Sequence, residues 1–144
     1  LAFSQKLKKE GIKQPSQLIL LSPWLDISCT NPGMLEVDKY DCMLNINGLK
    51  KCGQLWAKEA DVKNPLVSPL YGDVEGLPLI SIFASTHDIL EPDMRKLKEK
   101  CNSKHIALNY FNYPKMVHAW IILGLSESNK ALEQIKELLT VKNS

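Results

Sequence analysis

Three short apolar runs, each stopped by turn-forming residues and separated by helical periodicity, restrict this chain to an α/β arrangement. "QLILL" (Gln17 to Leu21) halts at Ser22-Pro23, "LPLISIFAS" starts at Leu77 and ends before His87-Asp88, and "IALNYFNY" runs from Ile106 to Pro114. Unbroken apolar runs of this length are expected of strands buried on both faces. Between the second and third runs, Pro92 stands in the first turn of a helix and Asp93 adds an early carboxylate that suits the helix dipole. Met94, Leu97 and Cys101 then mark one apolar stripe. A last helix is expected from near Ser128, burying Leu132, Ile135, Leu138 and Leu139. Strand, helix, strand, helix with apolar strands implies parallel pairing through right-handed crossovers.

Two segments flank this rhythm. The opening "LAFSQKLKKEG" carries apolar residues at helical spacing, lysines in the last turn and a left-handed stop at Gly11. No capping residue or proline precedes it. It is expected to be a helix whose start lies further upstream. The stretch from Thr30 to Asn64 interrupts the alternation: Asn31-Pro32-Gly33 is a turn signal, and a helix is expected from Gly48 to Ala60 around Leu49, Cys52, Leu55 and Trp56. An insertion of this size either covers a ligand site at the carboxyl ends of the strands or packs on the sheet edge.

Composition narrows the function classes. With 144 residues, 44% apolar and 24% charged, the chain can bury one domain's core. Its net charge of +2 comes from interspersed signs and is too mild to suggest a nucleic-acid or membrane-surface footprint. The four cysteines form no CxxC pair, so neither a disulfide framework nor structural zinc is expected, and a reducing, cytoplasmic compartment fits. The apolar runs are too short to cross a bilayer.

Chemistry concentrates at two strand ends. The second run feeds directly into Thr86-His87-Asp88, and the third passes through Pro114 into a loop bearing His118, with Met116 and Trp120 two residues to either side. Parallel neighbours would bring these loops together, and an Asp fixing an imidazole is the acid-base half of a hydrolytic triad. The plainer alternative for each residue is a surface or capping role. An adjacent His-Asp pair also serves metal-dependent phosphohydrolases, but there it sits on a helix with further ligands. Here it ends a strand-like run and only His105 and His118 remain, so no metal and no cofactor is expected.

A nucleophile is harder to find. "GLSES" (Gly124 to Ser128) resembles a GxSxG elbow but lacks the second Gly and follows no apolar strand, so Ser126 or Ser128 reads as a helix N-cap. Ser22 and Ser68 each precede proline, which is expected to hold them extended. The attacking group is therefore either absent or upstream.

Taken in order and at their spacing, "LILLSPWLDIS", "DCMLNINGL", "NPLVSPLYGD", "LPLISIFASTHDILEPDMRKL" and "MVHAW" resemble the C-terminal half of an α/β-hydrolase of the hormone-sensitive-lipase-like esterase group. The resemblance covers nearly all of residues 1–144. It implies three parallel strands alternating with helices plus a partly helical lid or pocket insertion at 30–64, with the nucleophile elbow and oxyanion hole upstream of Leu1. It further implies a serine-dependent hydrolase of small-molecule carboxylic esters, with Asp88 as the triad acid and His118 as the general base. Trp24, Leu25, Leu55, Trp56 and Trp120 are the pocket candidates, with plain core packing as the alternative for each. Two departures stand out: Ile89 follows the acid where many members have Pro, and Ala119-Trp120 follows the histidine where Gly-Phe-type endings are common. The isolated chain is expected to be inactive. The competing reading is a non-catalytic interaction module or pseudo-hydrolase, with self-association through an exposed sheet edge.

Overall fold

The computed structural model describes residues 1–140. Three parallel strands, β1 (Gln17–Leu21), β2 (Leu79–Ser85) and β3 (Leu108–Tyr113), form a sheet in the order β1-β2-β3. The five residues of β1 are those of the predicted run. Register pairs Gln17 with Leu79 on one side of β2, and Ile80 with Leu108 and Ser85 with Tyr113 on the other.

Alternation along the strands divides the core in two. Ile80, Ile82 and Ala84 of β2, with Leu18 and Leu20 of β1 and Leu108 and Tyr110 of β3, face one layer. It is closed by Met94, Leu97 and Cys101 of helix α4 (Glu91–Ser103), all fully buried. Phe83, Ile19, Phe111 and Tyr113 face the other, closed by Trp120, Ile121 and the Ala131, Ile135 and Leu138 stripe of helix α5 (Ser126–Thr140). A sheet with helices on both faces follows from the period of two in the strands and 3.6 in the helices.

Three expectations need correction. Among the described strands β1 pairs on one side only and is half buried with Leu21 exposed, whereas β2 between its neighbours is almost wholly buried. In α5, Leu132 and Leu139 are exposed: Ala131, Ile135 and Leu138 take the inward stripe, and the other two lie one step around the helix. That helix also starts at Ser126, so neither Ser126 nor Ser128 is the residue before it. Ser128, in the first turn, accepts from the Leu125 N–H at 3.0 Å and donates to the Trp120 carbonyl at 2.8 Å, tying the helix start to the segment after His118.

The opening helix α1 (Ala2–Lys9) ends as expected, with Gly11 at φ +65° and the Ile12 N–H returning to the Leu7 carbonyl. The insertion carries a short helix α2 (Met34–Val37) and a longer one, α3 (Ile46–Ala57), capped by the Asn45 side chain on the Gly48 N–H. Gly48 therefore lies in the first turn and does not begin the helix, and α3 stops at Lys58 (φ +52°). A Cβ added to Gly53 would stand 2.2 Å from the Ile27 carbonyl oxygen, so glycine is what lets α3 rest against the chain leaving β1. Among the described residues no helix is long and apolar enough to cross a membrane.

Candidate active site

Ser85 and Tyr113 are register partners, so the loops after β2 and β3 leave the sheet at the same level. The Thr86 N–H bonds the Tyr113 carbonyl at 3.1 Å, and the Lys115 N–H bonds Thr86 Oγ1 at 2.8 Å. The Ser85 hydroxyl donates to the Met116 carbonyl. These bonds stitch the two loops together for several residues and carry His118 back over the loop that holds Asp88.

The two side chains meet. His118 Nδ1 lies 3.1 Å from Asp88 Oδ2; Asp88 is fully buried and the imidazole is 26% exposed. An ionised carboxylate has only acceptors, so Nδ1 carries the proton and Nε2, across the ring, is the nitrogen left basic. The second carboxylate oxygen accepts from the Leu90 N–H at 3.0 Å, which orients Asp88 against the start of α4. The Asp88 hydrogen bond holds the His118 pKa above its ordinary value, outweighing partial burial, and the charges of Asp88 and Asp41 act in the same direction.

Two further contacts enter this region from other parts of the chain. The Ala119 N–H donates to Ser22 Oγ at 3.1 Å, at the end of β1. Contrary to the extended conformation expected before proline, Ser22 adopts φ +43° and its hydroxyl meets the His118 loop, and Ser68, at φ −127° and ψ 79°, is not fully extended either. From the insertion, Asp41 Oδ2 accepts from the Ile89 N–H at 2.8 Å, and the Tyr40 ring stacks on His87 with centroids 5.0 Å apart. None of Ser22, Ser85, Tyr40 or Asp41 was a predicted site residue. Asp41 alone left a local signal, an Asp followed by Met43 and Leu44 whose N–H groups it accepts.

The sequence pattern of the alpha/beta hydrolase fold family matches residues 1–122. The chain belongs to the α/β-hydrolase family. An esterase of Acinetobacter venetianus is 30% identical over 148 residues, spanning 97% of this chain and 47% of its own length. An acetyl-hydrolase of Streptomyces hygroscopicus is 26% identical over 119 residues, spanning 83% of this chain and 40% of its own. The crystal structure of a hormone-sensitive lipase from a metagenome library superposes with a TM-score of 0.93 at 25% identity, covering 99% of this chain and 49% of that one. This α/β-hydrolase chain thus spans less than half the length of each of these relatives.

The pocket candidates scatter within the hydrolase fold. Leu25 lies in the core under α4 with 1% of its surface exposed, and Trp120 is fully buried against Tyr113 in the other layer, so both pack as core residues here. Trp24 is partly buried and its indole N–H donates to the Asp26 carbonyl at 2.9 Å. Leu55 and Trp56 project from α3, each 70% exposed. A cavity of about 680 Å³ opens elsewhere, between Gln5 and Lys9 of α1 and the Asn64–Leu66 segment, and its lining includes neither Asp88 nor His118.

Proposed function

We propose that the protein carrying this chain is a serine-dependent carboxylic ester hydrolase acting on short-chain acyl esters. In this reading His118 is the general base, Asp88 is the triad acid, and the attacking serine and oxyanion hole come from sequence preceding Leu1. One observation carries the reading: Asp88 and His118 stand in contact at the carboxyl ends of adjacent parallel strands. The relatives' names, esterase and acetyl-hydrolase, point the same way.

The chemistry follows from the tautomer. Nε2 takes the serine proton as the hydroxyl attacks the ester carbonyl, then returns it to the departing alcohol. Asp88 stays ionised, holds the ring in place and stabilises the transient imidazolium. Leu55 and Trp56, the exposed pair on α3, are the pocket candidates open to an acyl or alcohol group. The residues 30–64 segment is the lid in this reading, since Tyr40 and Asp41 lie against the acid loop. A cytoplasmic setting fits the four unpaired cysteines.

The test is hydrolysis of p-nitrophenyl acetate and butyrate by the full-length protein and by its His118→Ala variant. Turnover that disappears with the imidazole supports the assignment. An unchanged rate would defeat it, as would robust His118-dependent turnover by residues 1–144 alone for the upstream serine.

A further inference from the structure

Asp41 is distant from the Asp88–His118 pair in sequence yet bound to the peptide next to the acid. Its carboxylate is fully engaged: Oδ1 accepts from the Met43 and Leu44 N–H groups at 2.8 and 2.9 Å, and Oδ2 accepts from the Ile89 N–H at 2.8 Å. The first two bonds fix Asp41 within its own turn, so the third fixes the acid loop to the insertion. Beside it, Tyr40 lies nearly parallel to His87, with an interplanar angle of 10°, and the Lys39 ammonium sits 4.8 Å from the Tyr40 ring centre. Residues 87 and 89, which bracket the acid, are thereby both held by residues 40 and 41.

The donor at 89 matters because it is the backbone N–H next to the acid and Asp41 is its acceptor. Proline there would have no N–H to give; isoleucine supplies one, and Asp41 takes it. We propose that Asp41 is a positioning residue for the Asp88–His118 pair, latching the acid-bearing loop to the insertion through the Ile89 N–H. The inference rests on the acid and base roles assigned above. It adds that the insertion's placement and the pair's geometry are mechanically one unit. Two acidic groups then act on the imidazole, Asp88 from the loop after β2 and Asp41 from the insertion, and removing Asp41's charge lowers the basicity that both sustain.

Three variants of the full-length enzyme separate the contributions. Asp41→Ala removes charge and acceptor, Asp41→Asn keeps an acceptor oxygen without the charge, and Ile89→Pro removes the donor while leaving the charge. Asp41→Ala and Ile89→Pro are expected to lower kcat for p-nitrophenyl acetate about 10- to 100-fold with little change in KM, the scale of a displaced catalytic group. Asp41→Asn is expected to lose less, and to move the acid limb of the pH–rate profile to lower pH.

A second readout is the titration of the His118 imidazole by NMR in the same full-length proteins, which needs no turnover. Both aspartate variants are expected to titrate at lower pH than wild type, and Ile89→Pro closer to wild type. Wild-type kcat in Asp41→Ala, or a His118 titration that ignores the loss of the Asp41 charge, overturns the proposal. A wild-type protein that hydrolyses no ester but whose His118 titration still responds to Asp41→Asn would reject the esterase reading and leave the latch standing.

Discussion

The hydroxyl of Ser22, at the end of β1, accepts the Ala119 N–H at 3.1 Å, and both residues hold positive φ, +43° and +52°. A β-carbon in this region is strained, so the two residues stay there because the surrounding bonds over-determine them. Opposite outcomes follow for the two positions. Ser22→Ala leaves a partly buried N–H without its acceptor and is expected to destabilise the full-length protein by about 1–3 kcal/mol. Ala119→Gly keeps the bond and removes the steric cost, with an expected gain of about 1 kcal/mol. Urea denaturation of both variants decides this, and equal effects of the same sign would contradict it.

In the proposed triad, the raised pKa of His118 would set the pH dependence of activity. The base must be neutral to accept the serine proton, so kcat/KM is expected to rise with pH through an acid limb lying above the ordinary imidazole value of about 6.5. Asp88→Asn should move that limb to lower pH and cost about 10⁴-fold in kcat by favouring the wrong tautomer. For stability the sign reverses. A base whose pKa is higher folded than unfolded adds stability that is complete below about pH 6.5 and fades as pH rises through the folded value. An acid limb in wild type at or below that of Asp88→Asn would contradict the assignment.

Asp93, in the first turn of α4, is a second pH-sensitive group, apart from the Asp88–His118 pair. It is 1% exposed, Oδ1 accepts from the Asn31 amide at 2.8 Å, and Oδ2 has no hydrogen-bond partner among the described residues. Burial pushes its carboxyl up to about 6, against the Asn31 hydrogen bond and with help from the Asp26 charge. The fold therefore prefers the protonated form. The associated stability is full below the unfolded value of 3.8 and is lost as pH climbs through about 6. Asp93→Asn should remove that loss, so the variant gains on wild type by about 1–3 kcal/mol between about pH 4 and about pH 8. A pH-independent difference between their unfolding free energies would refute the assignment.

Gly53 tests how the insertion is seated. Because a methyl group there meets the Ile27 carbonyl at 2.2 Å, Gly53→Ala must push α3 away from the chain after β1. The expected loss is about 1–3 kcal/mol, despite alanine's better helix propensity. Alanine scanning of the helix by thermal denaturation checks it: stabilisation at residue 53 would mean that α3 is free to move.

What was legible in the sequence was what local pattern dictates. The bounds of β1 matched because proline stops the run, and the α4 stripe matched because three apolar residues recur at helical spacing. The meeting of Asp88 with His118 was legible for the same reason, since parallel neighbours place their loops side by side. Leu132 and Leu139 were misplaced because small Ala131 takes the inward stripe, and composition favours the larger residue. The turn at Ser22 and the reach of Asp41 to Ile89 are set by tertiary contacts between residues 97 and 48 positions apart, and no local periodicity records them.

Register joins β2 to β3 through Ser85 and Tyr113, and the alignment of two whole strands is what delivers one carboxylate to one imidazole. Sliding either strand by one residue would displace its loop by about 3.3 Å and turn its inward side chains to the other layer. Selection acting on proton transfer in such a molecule would therefore also police the packing of Phe83 and Ile82, which never approach the reacting atoms but forbid the slip.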